Sequence, residues 1–294
     1  MKNFIVFFIV FVCCAFTNNL LCQTPVINED FTLIANDGAS YDHYGTCVSV
    51  FSSIAVVGSP DDNNSTGAAY VYIFNNQTNT WEFEVKLTAS DGVQGDEFGR
   101  QVCIYKDYII VGAHLHSHNG NSEAGKAYIY NPYGFGNWSE QILTASNASS
   151  GDHFGRAVSI YGNYAIVGAK DKNNGRGSAY IFRKGINGFY QTQIIDPSNL
   201  DVNDNFGQAV SINDNYAIIS AMYDDGINNS NTNCGCAYIY KFDVFSWVYV
   251  SKLYASDCSA NDWFGNAVSI DRKSPTVVIG SMMENSHGSA YVFA

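Results

Sequence analysis

The chain has 294 residues and carries 15 basic against 27 acidic residues, which gives a formal net charge of −12 at pH 7. This length suits one large all-β domain or two ordinary domains. A strongly acidic surface repels nucleic acid and anionic lipid, so the charge argues against both as partners. It fits a soluble protein, or one that attracts cations or basic partners.

The N-terminus has the pattern of a secretory signal peptide, predicted over residues 1–22. Lys2 precedes an apolar run from Phe4 to Phe16, and a short stretch of polar and small residues follows. The run is short for a membrane span, so an uncleaved anchor is the less favoured alternative. Cleavage would remove Lys2 alone among the charged residues, leaving a net charge of 14 − 27 = −13. We therefore expect a secreted, extracellular protein whose mature domain does not insert into a membrane.

Cysteines and sequons fit the same compartment. Three of the eight cysteines lie within the predicted signal peptide, and the odd number that remains does not suggest a small disulfide framework. Cys234 and Cys258 fall in predicted loops and are the predicted disulfide. Six Asn-x-Ser/Thr sequons predict glycosylation, at Asn63, Asn64, Asn76, Asn137, Asn147 and Asn228.

One pattern recurs five times along the chain. The stretch GDHFGRAVSIYGNYAIVGA, residues 151–169, has close copies at 95–113 and 203–221, and looser copies near both ends. A glycine after an aromatic residue recurs every 52 to 58 residues, at positions 45, 99, 155, 207 and 265. A second marker, Ala-Tyr, ends at Tyr70, Tyr128, Tyr180, Tyr238 and Tyr291. Self-similarity at this period indicates a repeat architecture.

Each repeat predicts four short strands. The first follows the aromatic-Gly pair, the second ends in a sequence such as Val-Gly-Ala, the third contains Ala-Tyr, and the fourth runs into a sequence such as Leu-Thr-Ala-Ser. Tight turns at Lys106-Asp107 and Gly162-Asn163 suit hairpins between the first two strands. Four-stranded units that stack radially form a β-propeller.

The two ends of the repeat region complement each other. Phe31 to Asn36 matches a fourth strand, whereas Gly288 to Ala294 matches a third strand, so the last repeat lacks its fourth strand. We predict an all-β, five-bladed β-propeller over residues 29–294, closed by the N-terminal strand, which completes the last blade. The predicted repeats are 37–90, 91–146, 147–198, 199–256, and 257–294 together with 30–36. A fragment of a larger propeller is the alternative.

These units resemble FG-GAP repeats, which build the integrin α-subunit propeller and many secreted proteins. The resemblance rests on Phe-Gly pairs followed by a Val-Gly-Ala type sequence, at 98–99, 154–155, 206–207 and 264–265, with Tyr44-Gly45 as a variant. It implies a propeller fold and leaves many functions open. Two features depart from the integrin pattern, which has seven blades and calcium loops between the first and second strands. Those turns are too short here, so no calcium ligand is carried over.

In a propeller, the loops joining strands two to three and four to one emerge on one face. These loops contain most of the acidic residues and all six histidines. We expect a ligand-binding face here, with Asp61, Asp62, Asp171, Asp224, Asp225 and Trp263 as candidate contacts. A further aspartate stands two residues before each repeat's aromatic-Gly pair and is predicted to brace the loop by accepting backbone N–H groups.

Metal binding is a weaker prediction. His114, His116 and His118 alternate along one stretch, which would point three imidazoles in one direction and suggests Zn²⁺ or Cu²⁺, with Glu123 as a possible fourth ligand. A solvated polar loop is the alternative. Residues 60–64 and 223–229 resemble calcium loops incompletely. We expect no cofactor, with calcium or zinc as the ions to consider.

The favoured function is a non-enzymatic extracellular recognition or adhesion module that binds a glycan or a protein through the acidic face. The sequence contains no Gly-x-Ser-x-Gly, phosphate-binding glycine loop or His-Glu-x-x-His motif. One alternative is a carbohydrate-active propeller enzyme resembling a glycoside hydrolase, with carboxylates paired across blades. Another is a structural surface protein stabilised by calcium or another metal.

Overall fold

The computed structural model describes residues 31–132 and 137–294. The predicted signal peptide lies outside these ranges. The described strands form five antiparallel sheets, which we call blades one to five in chain order. Blade one contains β1 (Val48–Phe51), β2 (Ile54–Ser59), β3 (Ala68–Asn75) and β4 (Thr80–Leu87). Blade two contains β5 (Gln101–Tyr105), β6 (Tyr108–Ala113), β7 (Lys126–Pro132) and β8 (Trp138–Leu143).

The remaining strands continue the same order. Blade three contains β9 (Ala157–Tyr161), β10 (Tyr164–Ala169), β11 (Ser178–Gly185) and β12 (Gly188–Ile195). Blade four contains β13 (Phe206–Ile212), β14 (Tyr216–Ala221), β15 (Cys236–Asp243) and β16 (Ser246–Leu253). Blade five contains β17 (Phe264–Ile270), β18 (Val277–Ser281) and β19 (Ser289–Phe293). Helical turns occur at α1 (Asp62–Ser65), α2 (Lys172–Gly175), Ile227–Asn229 and Glu284–Ser286.

The predicted five-bladed, all-β propeller is confirmed. In each sheet the strands pair in sequence order, so each blade is a simple meander. The first strands of successive blades contact one another, β1 with β5, β5 with β9, β9 with β13, and β13 with β17. These first strands therefore line the axis of the propeller. In the described ranges, no helix is long and apolar enough to cross a membrane.

The repeated aromatic residues pack inside each blade. Phe98 is fully buried, and its ring meets the ring of Tyr128 edge-on at a centroid distance of 5.3 Å. The corresponding pairs in the other blades have distances of 5.2 to 5.4 Å: Tyr44–Tyr70, Phe154–Tyr180, Phe206–Tyr238 and Phe264–Tyr291. Edge-to-face aromatic pairs contribute about 0.5–1.5 kcal/mol beyond the burial of their surface. Both repeat markers are thus parts of one contact.

Aliphatic side chains fill the spaces between blades. Val102 and Ile104 of blade two pack in one cluster with Val56 and Val71 of blade one, and all four side chains are buried. Burying such a side chain contributes about 1.5–3 kcal/mol. The bulky aliphatic residues of β5 therefore pack blade two against blade one.

Glycines allow the backbones of neighbouring blades to touch. A Cβ atom on Gly112 would lie 2.0 Å from the carbonyl oxygen of Gly155 in the next blade. A Cβ atom on Gly58 would lie 2.0 Å from the oxygen of Gly99. Such distances are far below van der Waals contact. In blades one and two the glycine at this position therefore permits the close approach to the next Phe-Gly pair, whereas blade four has buried Ser220 there, beside Gly265.

The seam between blade five and blade one is packed differently. Val48 and Val50 correspond to Val102 and Ile104, yet they are 67% and 57% exposed. On blade five, Val278 is 42% exposed. Across this seam the described residues do not form the dry aliphatic contact found between blades one and two.

The segment before β1 lies where, in the next blade, the residues that follow a fourth strand lie. Tyr72 donates its hydroxyl hydrogen bond to the carbonyl oxygen of Ile34 at 2.7 Å, just as Tyr130 donates to that of Thr88, which follows β4, at 2.9 Å. Residues 31–36 have no strand assignment, and blade five has three described strands. Completion of blade five by the N-terminal strand therefore stays a prediction.

We predict that Gly112→Ala lowers the free energy of unfolding by about 2–3 kcal/mol, because the new methyl group must push two backbones apart. Urea denaturation followed by tryptophan fluorescence measures this loss.

Gly280→Ala is the matched control, since Gly280 holds the same position in blade five. There a Cβ atom would lie 3.8 Å from the nearest atom, which is ordinary contact, so the change should be within about 0.5 kcal/mol. Equal losses for the two variants would contradict the proposed role of the blade contact.

Candidate functional site

Two sets of loops share one end of the propeller, because alternate connections of a meander emerge on the same side. We call this surface the loop face. It comprises the loops between second and third strands, at 60–67, 114–125, 170–177, 222–235 and 282–288. It also comprises the segments leading into first strands, at 36–47, 88–100, 144–156, 196–205 and 254–263. The amide of Phe154 donates to the oxygen of Ala124 in the preceding blade at 3.0 Å, and equivalent bonds join blades one to two, three to four and four to five.

An aspartate braces each of the five segments that lead into a first strand. The carboxylate of Asp152 accepts the backbone N–H of Ser149 at 2.7 Å. The same bond, to the residue three positions earlier, is made at 2.5 to 2.7 Å by Asp42, Asp96, Asp204 and Asp262. Each of these aspartates therefore braces its loop by accepting a backbone N–H group, as predicted.

The residue before each repeat's aromatic has a left-handed backbone. These residues, with φ from 49° to 58°, are His43, Glu97, His153, Asn205 and Trp263. We call them the variable ring, since one backbone position carries a histidine in two blades and, in the other three, side chains that differ from it and from each other in size and charge. A left-handed backbone costs a residue other than glycine about 1–3 kcal/mol, and such strained residues are often found at binding sites.

Trp263 is half-buried rather than fully exposed. Its ring meets that of Tyr223 edge-on at 5.8 Å, and its indole N–H has no hydrogen-bond partner among the described residues. The indole therefore packs against Tyr223, and less of its surface is available to a ligand than the sequence suggested.

Two predicted contact residues, Asp62 and Asp224, are buried. The carboxylate of Asp62 lies 2.8 Å from the ammonium of Lys86, and that of Asp224 lies 2.6 Å from that of Lys252. In blade three the same position holds buried Lys172, whose ammonium lies 2.8 Å from Asp152. These charges are neutralised inside the blades and are not presented to a ligand.

The other predicted aspartates are engaged at the surface of their own blades. Asp61 accepts from the hydroxyl of Ser65 at 2.8 Å and contacts His43. Asp171 lies 2.5 Å from His153, and Asp225 accepts a backbone N–H at 2.9 Å. The structure therefore does not bring the predicted aspartates together into one site.

The three alternating histidines point to different neighbours. The Nε2 atom of His114 lies 3.8 Å from Glu97, whereas His116 lies 3.3 Å from Asp91. His118 forms a short bridge with Asn121, and Glu123 lies 3.2 Å from His153 instead. Within residues 31–132 and 137–294, no three His, Cys, Asp or Glu side chains converge as metal ligands. Zinc or copper binding by these histidines stays a prediction.

The sulfur atoms of Cys234 and Cys258 are bonded, with a Cα–Cα distance of 5.7 Å, as the sequence predicted. This disulfide links two loops of the loop face. The asparagines of all six sequons are exposed, and their glycosylation stays a prediction.

A cavity of about 370 Å³, the axial pocket, lies where the five first strands begin. Sequence reasoning missed it. One side chain from each blade directly follows the aromatic-Gly pair and lines the pocket: Thr46, Arg100, Arg156, Gln208 and Asn266. We call these five the collar. The signal was present in the repeats, since this position contains five polar side chains with hydrogen-bond donors, two of them cationic.

Charges beside the pocket shift the pKa values of their neighbours. Burial lowers the pKa of His114 to about 3, and the nearby positive charges of Arg156, His153 and Arg100 act in the same direction. The hydrogen bond to Asp171 raises the pKa of His153, although burial opposes this. Burial and the adjacent Arg100 lower the pKa of Arg156.

We predict that Asp152→Ala lowers the free energy of unfolding by about 3–5 kcal/mol, because it removes the loop brace and leaves Lys172 buried without its carboxylate. Asp42→Ala is the matched control: it removes the same brace at a site without a buried lysine and should cost about 1 kcal/mol. Chemical denaturation of both variants measures the difference, and equal losses would contradict the role of the buried ion pair.

His114 predicts a loss of stability in acid. An unfolded histidine takes up its proton near pH 6.5, whereas folded His114 does so near pH 3. Between these values the unfolded state binds the extra proton, so the free energy of unfolding falls by about 1.4 kcal/mol per pH unit as the pH falls. Denaturation from pH 7 to pH 4 should show His114→Asn gaining stability relative to the parent. Parallel pH profiles would contradict this assignment.

The FG-GAP repeat family model matches the chain in five segments, residues 28–72, 81–130, 138–182, 189–240 and 247–293. No curated protein matches the chain significantly. The segments from 81 onwards each begin in the fourth strand of one blade and end in the third strand of the next, so the family unit is offset from the blade by one strand. The first segment begins before the described residues, at the position expected for a fourth strand. Together these segments cover most of the sequence, and the chain therefore belongs to the FG-GAP repeat family.

Proposed function

We propose that the protein is an extracellular, non-catalytic recognition module that binds its ligand through the loop face. The observation that carries this proposal is the variable ring, where five blades hold one strained backbone conformation and present four kinds of side chain, with histidine in two blades. A surface whose backbone is fixed in advance loses little entropy on binding, and its specificity depends on side chains alone. Membership of a repeat family that includes integrin-type propellers supports a binding role.

The signal-peptide pattern and the exposed sequon asparagines support an extracellular location. Engagement of the candidate aspartates with lysines, histidines and backbone amides supports binding over glycoside hydrolysis, which requires a carboxylate free to donate or accept a proton at the reacting bond. The ligand class that we propose is an extracellular protein or glycan.

The test uses residues 23–294, immobilised and screened against a glycan array and a library of extracellular proteins. Two exposed apolar side chains of the loop face, Tyr41 and Ile227, supply the variants Tyr41→Asn and Ile227→Asn. Asparagine accepts the left-handed backbone at Tyr41, whose φ is 73°. We expect the double variant to lose ligand affinity by roughly tenfold or more, with unchanged melting temperature.

Phe245→Asn is the matched control, because Phe245 is 93% exposed and lies on the opposite face, between β15 and β16. It should bind as the parent does. Loss of binding in this variant, with retention in the loop-face variant, would place the site on the other end of the propeller and overturn the proposal.

A further inference from the structure

The axial pocket concentrates positive charge at the centre of an acidic protein. The chain has a net charge of −12, yet Arg100 and Arg156 of adjacent blades both line this one cavity. Lys170 and His153 also lie close enough to influence His114 beside it, although both are paired with Asp171. Two guanidinium groups placed side by side repel each other, and neither is needed for the blade contacts described above. Their position therefore calls for another explanation.

The polar groups of the collar are largely unpaired. In the described parts of the chain, the guanidinium of Arg156 forms no ion pair within 4.0 Å and no hydrogen bond. Arg100 has one carboxylate partner, Glu97 at 3.5 Å. The side-chain amides of Gln208 and Asn266 also have no hydrogen-bond partner there, although both residues are partly buried. None of these polar atoms is among the fully buried unpaired atoms of the described residues, so they are accessible from the pocket and free to bond to water or to a ligand.

The donor set fits one kind of ligand. A guanidinium donates two parallel hydrogen bonds to a carboxylate or sulfate oxygen pair. Amides such as those of Gln208 and Asn266 both donate and accept, which matches the hydroxyl groups of a sugar ring. The cavity of about 370 Å³ is at the small end of ligand pockets, so it suits one residue of a larger ligand.

We propose that the axial pocket binds an acidic sugar residue, with Arg100 and Arg156 on its carboxylate or sulfate group and the amides of Gln208 and Asn266 on its hydroxyl groups. The pocket opens at the loop-face end, because the collar residues directly follow the loops that lead into the first strands. This inference rests on the proposed recognition function and names the chemistry of its ligand: a glycan that carries an anionic residue.

The test titrates residues 23–294 with glucuronate by calorimetry, with glucose as the neutral probe. We expect glucuronate to bind, and we expect the affinity for glucose to be lower by roughly tenfold or more. Arg156→Gln should weaken glucuronate binding by roughly tenfold or more. Its melting temperature should equal or exceed that of the parent, because the substitution removes the repulsion from Arg100. This second readout shows that the variant is folded.

Arg176→Gln is the matched control, since Arg176 is an exposed arginine of the loop face that does not line the pocket. It should bind glucuronate as the parent does. Three outcomes overturn the proposal: no heat of binding with glucuronate, equal binding by Arg156→Gln, or equal loss in Arg176→Gln. N-acetylglutamate supplies a further arm, and if it binds as tightly as glucuronate the pocket recognises acidic side chains and the sugar assignment is wrong.

Failure here and failure of the proposed function can be told apart. A library ligand that is lost in the Tyr41 and Ile227 double variant but unaffected by Arg156→Gln would leave the recognition function standing and refute the axial site. If glucuronate binds but no library ligand depends on the loop face, the axial site is supported and the proposed recognition function is refuted.

Discussion

The close approach of backbones between neighbouring blades is the constraint on which the rest of this structure depends. At Gly112 and Gly155 two strands meet with no room for a side chain. This contact fixes the spacing of blades at their inner edge, and the aliphatic layer of Val102 and Ile104 then fills the wider space outside it. Because interiors are close-packed, small changes at this inner contact are transmitted to the whole interface. The glycines of the repeat motif thus serve the contact between blades, and the motif does not identify a ligand.

The same contact also positions the loop face. Phe154 follows the loop of its own blade and donates its amide to the loop of the preceding blade, so each pair of neighbouring loops is tied at one point. The brace made by Asp152 fixes the backbone just before it. A repeated scaffold of this kind holds these anchor points constant, while the side chains and the lengths of the loops differ between blades. Recognition can then change by substitution without a change of fold.

The sequence predicted the architecture well because its repeats encode contacts that recur. Phe98 and Tyr128 form one buried pair, and both had been recognised as markers. Prediction of the site was poorer for a physical reason. Exposed-looking acidic residues such as Asp62 proved to be buried beside a lysine from the fourth strand, and this pairing joins positions more than twenty residues apart. The collar was missed because its members are not one repeated residue type, and only the propeller brings Arg156 and its counterparts around one axis.

Close ion pairs inside the blades and weaker pairing of the arginines at the axis together determine the electric field of the protein. Asp224 is neutralised by Lys252, and Lys172 by Asp152, so these charges contribute little to the field at the axis. The guanidinium of Arg156 forms no direct ion pair at the centre, and the carboxylates of Glu97 and Asp171 act on it only from a distance. Beyond about 8 Å, salt screens single charges, so a ligand with one anionic end would feel the central arginines only after docking. A polyanion would meet the acidic remainder of the surface along its length. We therefore expect the field to favour a ligand with a single terminal acidic group over a highly charged chain.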